Sequence, residues 1–121
     1  MKWLYYGDSN GDLLVVDATS EQLVWRGYPE GRPVKKVSQL PDLTGCIVLV
    51  EWGGVSKHDP TLWRYSHDEG VVWQAELPQS GPDSYLDFQL ENGELYAGSW
   101  SGYRAKIDLD SGRIIGRAFV K

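Results

Sequence analysis

Short runs of β-branched, aromatic and aliphatic residues alternate along the chain with clusters of Gly, Asp, Asn, Ser and Pro. That alternation predicts strands joined by turns. No stretch sustains the i, i+3, i+4, i+7 apolar spacing of an amphipathic helix. The runs predict eleven strands at 3–7, 12–17, 22–27, 34–39, 46–52, 61–66, 71–76, 84–89, 94–98, 103–108 and 113–119.

The runs repeat. Leu4-Tyr5-Tyr6-Gly7-Asp8-Ser9-Asn10-Gly11, Ile47-Val48-Leu49-Val50-Glu51-Trp52-Gly53-Gly54 and Leu95-Tyr96-Ala97-Gly98-Ser99-Trp100-Ser101-Gly102 share one frame, an apolar strand entering a Gly-containing turn. The next strand repeats as well, with Leu13 to Ser20, Leu62 to Gly70 and Arg104 to Ser111 as its copies. A spacing of roughly 40–50 residues with four strands per unit suggests propeller blades. The expected fold class is therefore all-β: antiparallel, four-stranded, propeller-like blades in about three repeats, a partial propeller. One domain over 1–121 is expected, with approximate repeats 1–39, 40–89 and 90–121. Grouped as strands, the order is three, four and four, so the first unit is one strand short. Propellers usually close with four to eight blades. Open strand edges invite pairing with another chain, and a homodimer closing a six-bladed ring is one solution.

The form Gly-x-x-x-x-x-x-Asp-x-x-Ser/Thr-Gly-x-hydrophobic-hydrophobic-Trp resembles the blades of pyrroloquinoline-quinone-type propellers, the quinoprotein dehydrogenases and their non-enzymatic relatives. The matching segments are Gly11 to Trp25 and Gly102 to Gly116; Gly112 supplies the turn glycine in the last unit, and Glu21 stands near that place in the first. The resemblance implies that Asp17 and Asp108 accept bonds from turn N–H groups, and that the Trp packs between sheets. The enzymes of this family look like full rings of six to eight blades carrying a cofactor and a calcium ion on the axis. A chain of 121 residues is too short for one ring, and it has neither an adjacent-cysteine pair nor a calcium cage. No cofactor, metal or catalytic residue is expected.

Composition narrows the function classes. The formal net charge of −5 disfavours nucleic acid as a partner, because phosphate binding rests on clustered Lys and Arg. The longest apolar run, Ile47 to Val50, is far below the roughly 20 residues that span a bilayer. With an N-terminus unlike a signal peptide, a cytoplasmic location and no membrane partner are expected. The single Cys46 sits in an apolar run and reads as a packed thiol. Asp8-Ser9-Asn10-Gly11-Asp12 has oxygens at alternate positions, but Leu13 and Thr19 stand where a calcium loop needs Gly and Glu, so it reads as a turn. Ser66, His67 and Asp68 are sequence neighbours, a poor start for a triad geometry, and no Gly-x-Ser-x-Gly elbow accompanies them.

What remains is aromatic and acidic. Six Trp and seven Tyr are many for this length. Trp52 and Trp100 hold equivalent hairpin positions, and Tyr103 follows close behind. Between Arg64 and Arg104 there is no Lys or Arg, while Asp83, Asp87 and Glu91 lie there among other acids. The connection Gly53 to Thr61, with His58 and Asp59, is longer than its counterparts, a mark of functional loops. These residues form the candidate partner-binding set. Exposed aromatics beside acids describe an interface hot spot. The expectation is a non-enzymatic protein-binding module, resembling the immunity proteins that neutralise bacterial toxins, with a basic nuclease-type toxin as partner. The alternative is a homo-oligomeric, lectin-like propeller that binds a small ligand such as a sugar.

Overall fold

The computed structural model describes residues 2–120; Met1 and Lys121, at the ends of the expected domain, lie outside the described residues. All eleven expected strands are present: β1 (Trp3–Gly7), β2 (Leu13–Asp17), β3 (Leu23–Gly27), β4 (Val34–Gln39), β5 (Cys46–Val50), β6 (Leu62–Ser66), β7 (Gly70–Gln74), β8 (Tyr85–Glu91), β9 (Glu94–Ser99), β10 (Tyr103–Ile107) and β11 (Ile114–Phe119). They form three antiparallel sheets in the orders β1-β2-β3, β4-β5-β6-β7 and β8-β9-β10-β11. Each sheet is a meander, so this is a partial propeller of three blades, the first with three strands. The strand grouping is the three, four and four expected, while the approximate residue bounds 1–39 and 40–89 each run one strand past it. Hydrogen bonding assigns β4 to the second sheet and β8 to the third. A strand that ends one sequence repeat opens the next sheet, because pairing follows the hairpins on its far side.

The apolar pattern explains the stacking. Every residue of β5 is buried. Cys46, Val48 and Val50 point to the first sheet, where they meet Trp3, Tyr5, Leu13 and Val15. Ile47 and Leu49 point to the third, where they meet Tyr85, Phe88, Leu95 and Ile107. A strand covered on both faces reads as one continuous apolar run, and Ile47 to Val50 is that run. The outer sheets bury one face each and alternate instead. Desolvation pushes the Cys46 thiol far up, so it is an inert packed group.

Turn chemistry fixes the hairpins. Asp17 Oδ1 accepts the N–H groups of Thr19 (2.7 Å) and Ser20 (3.1 Å). Asp108 accepts the Ser111 hydroxyl at 2.7 Å, and Ser66 takes the same place in the second blade through its bond from Glu69 N–H. The left-handed residue closing each of these turns is Glu21, Gly70 or Gly112. At Gly112 a second constraint acts: a Cβ there would lie 2.7 Å from the Trp73 ring. Trp73 therefore packs against the turn of the next blade and donates its indole N–H to Leu109 O at 2.8 Å.

Candidate functional site

The β5–β6 connection and the β9–β10 turn belong to adjacent blades, and they place Trp52 and Trp100 on one groove. Pro82, Asp83, Ser84 and Leu86, from the approach to and start of β8, complete it with Lys57; its volume is about 460 Å³. Trp52 is 55% exposed and Trp100 65%, and Leu86 is half exposed. The indole of Trp52 donates to Ser56 O at 2.7 Å, which fixes the ring within its own loop.

Two buried carboxylates hold these loops. Asp59 is 8% exposed. It receives both arms of the Arg32 guanidinium, at 3.0 and 2.6 Å, and the Gly53 N–H at 3.0 Å. Arg32 also donates to Glu51 O and lies over the Trp63 ring, 5.6 Å from its centroid. Burial alone would raise the Asp59 carboxyl, but the Arg32 and Gly53 bonds and the Arg32 charge outweigh it and hold it below the usual range. Asp83 is 1% exposed. Its Oδ1 accepts the N–H groups of Ser84 and Ser101, each at 3.0 Å, and its Oδ2 accepts the Ser101 hydroxyl at 2.7 Å. Backbone bonds join the two clamps: Asp59 N–H to Asp83 O at 2.9 Å and Asp83 N–H to Lys57 O at 2.8 Å. The long connection is thus tied down at both ends, with its β5-side tip carrying Trp52.

This corrects part of the candidate set. Asp59 and Asp83 present no carboxylate to a partner, because each is spent on internal donors; they position the aromatic loops. Tyr103 does not line the groove. It pairs edge-on with Phe119, at 5.3 Å between centroids, on the β10–β11 side. His58 is exposed, with Nδ1 2.9 Å from Gly81 O, and stands beside the groove rather than in it. Asp87 and Glu91 are exposed on β8. Asp87 bonds Lys36 of the second sheet at 3.0 Å, and that bond with the Phe88 N–H holds its carboxyl below the usual range.

Other acids of the stretch are also engaged within the chain. Asp68 accepts the Trp3 indole, Glu76 accepts Ile114 N–H, and Glu94 pairs with Lys106. Lys57, Pro82, Ser84 and Leu86 are the groove residues outside the candidate set. Lys57 stands in the long connection already singled out, whereas Leu86 gave no signal, since an apolar residue inside a strand reads as core.

A family model described as "Domain of unknown function (DUF7957)" matches residues 31–119. The chain belongs to the DUF7957 family. The matched span takes in the second and third sheets and every residue of the groove. No curated protein matches the chain. Among solved structures it is similar to the computationally designed Ika8 protein, at 14% identity over 100% of this chain and 35% of that one, with a TM-score of 0.64. It is similar also to a protein of unknown function from Bacteroides caccae, at 10% identity over 97% of this chain and 40% of that one, TM-score 0.60. A third similar structure is BamB from Moraxella catarrhalis, a PQQ-like β-propeller protein, at 13% identity over 98% and 35%, TM-score 0.55. The chain spans between a third and two fifths of the length of these structures. At such identities the likeness concerns the fold, and it is to a propeller.

Proposed function

We propose that this DUF7957 chain is a non-enzymatic protein-binding module, a cytoplasmic relative of the PQQ-type propellers without their cofactor, which docks a partner protein on the Trp52–Trp100 groove. The observation that carries this reading is the convergence of two exposed indoles from equivalent turns of adjacent blades, on loops braced by buried carboxylates. Rigid, exposed Trp at the centre of an apolar patch is the composition of binding hot spots. Bracing lowers the ordering cost of association. Within this class, an immunity role against a basic, nuclease-type toxin draws support from Asp87 and Glu91, which stand exposed on β8.

The test is association with a partner captured from the source cell's lysate. Trp100→Ala should weaken that association by at least about tenfold, the scale of a hot-spot truncation, with an unchanged melting temperature. Retained binding would remove the groove from the reading. For the immunity role, reversing Asp87 and Glu91 to Lys should slow association and flatten its salt dependence.

A second reading, a sugar-binding propeller, draws on the groove's size: about 460 Å³ falls within the range of small-ligand sites. Carbohydrate stacked on Trp52 and Trp100 would appear as a hit on a glycan array and would be lost in Trp52→Ala.

A further inference from the structure

The polar groups that face the groove are unequal in kind. Asp83, the carboxylate in its wall, is saturated by Ser84 N–H, Ser101 N–H and the Ser101 hydroxyl. What the groove still offers is mostly donors. Lys57 is exposed and makes no ion pair among the described residues. The Trp100 indole N–H and the Ser84 hydroxyl have no hydrogen-bond partner there either, whereas the Trp52 indole is taken by Ser56 O. Glu51 next to Trp52 and His58 next to Lys57 do not line the groove. A site built of two indoles, Leu86 and Pro82, with one unpaired ammonium and no free carboxylate, is complementary to an apolar segment that carries a negative charge. Ammonium–carboxylate bonds are charge-assisted, and a neighbouring indole N–H adds a neutral donor.

We infer that the groove recognises an extended protein segment with apolar side chains seated on Trp52, Trp100 and Leu86 and an Asp or Glu side chain paired with Lys57. This rests on the protein-binding reading and names the chemistry of its partner. It inverts what the net charge of the chain suggests: overall the molecule is acidic, but this site selects an acid. Positive and negative determinants can coexist on one partner, since Asp87 and Glu91 lie outside the groove.

The test uses random 12-residue peptides displayed with their C-termini fused to a carrier, so that each carboxylate comes from a side chain. The library is panned in parallel on the wild type, Lys57→Glu and Trp100→Ala. The wild type should enrich segments with two or more apolar residues and an adjacent Asp or Glu. Lys57→Glu should lose the acid and turn to Lys or Arg. Trp100→Ala should enrich nothing. For a selected peptide made free and amidated, Lys57→Gln should weaken binding about threefold to fivefold, the scale of one partly exposed ion pair. Lys57→Glu should weaken it about tenfold or more, by like-charge repulsion. A wild-type consensus without an acid, the same consensus with Lys57→Glu, or no enrichment at all on wild type would overturn the inference. If Lys57 variants change nothing while Trp100→Ala abolishes binding, the acid is wrong and the protein-binding reading stands. If Trp100→Ala binds as wild type does, the groove reading falls with it.

Discussion

Asp59 and Asp83 are defined by their partners: the carboxylate of each is taken up by internal donors. Both are polar, both lie in turn-rich segments, and local sequence offers nothing to separate an exposed acid from a clamped one. The deciding partner of Asp59 is Arg32, distant in sequence and brought close by the β3–β4 connection. The turn acids were legible because their partners are local: Asp17 and Asp108 bond groups two or three residues on. A pH dependence follows from Asp59. Its folded carboxyl sits below the ordinary value of about 4. Its contribution is therefore full above the unfolded value and is lost as pH falls through the folded one. Removing one partner of a buried pair costs roughly 3–5 kcal/mol, and Arg32 keeps some solvent contact, so Asp59→Asn should cost about 2–4 kcal/mol at pH 7. Urea unfolding at pH 7 and pH 3 checks it: the gap between wild type and variant should narrow at the lower pH. A gap that does not narrow would deny the ionised pair its role.

At the scale of elements, all eleven strands were readable because each blade strand is short, apolar and bounded by turn residues. Their ends were less so. The sequence pattern runs β5 on to Trp52, but the chain leaves the sheet after Val50, where Glu51 N–H bonds Pro33 O instead of a strand neighbour. β8 runs on to Glu91, because Asn92 and Gly93 both adopt positive φ and make a tight hairpin with β9. The repeated turn gives an internal comparison. Glu21 (φ 60°) and Gly112 (φ 75°) occupy one position in two blades. A side chain in the left-handed region costs about 1–2 kcal/mol, partly offset by the entropy glycine loses. Glu21→Gly should thus stabilise by up to about 1 kcal/mol. Gly112→Ala should do the reverse and more, because it adds the clash with Trp73 to the backbone strain; overpacking alone costs about 1–3 kcal/mol. Thermal melts of the two variants should move in opposite directions. Equal shifts would mean the turn relaxes freely and Trp73 does not constrain it.

For the whole molecule, the strand count three, four, four was legible, and it raised the question of what covers the open ends. The answer to that question lies in side chains whose roles the repeat pattern hides. Beside β1, where an innermost fourth strand would pair, Gln39 of β4 turns its amide into the ladder: Tyr5 N–H donates to Gln39 Oε1 at 2.8 Å, and Gln39 Nε2 donates to Trp3 O at 3.0 Å. Leu43 O accepts Trp3 N–H at 2.8 Å. One side chain thus imitates a peptide unit and covers that edge. At the other end, the outer face of the third sheet carries the Glu94–Lys106 pair, with Lys106 and Arg104 both over the Tyr96 ring. Ring closure by a second copy has to displace Gln39 at one junction and desolvate those charges at the other, and a buried ion pair rarely repays that cost. Light scattering of this 121-residue chain should therefore give a monomer of 13.6 kDa. Gln39→Ala reopens the edge, leaving Tyr5 N–H and Trp3 C=O unpaired, and unpaired edges template association. That variant should show concentration-dependent self-association together with a stability loss of about 1–3 kcal/mol from the abandoned backbone groups. A Gln39→Ala protein that loses stability yet stays monomeric would show that β4 itself, rather than the Gln39 amide, keeps other strands off β1. A wild type already dimeric would show that the two ends close despite both barriers, and would restore the six-bladed ring.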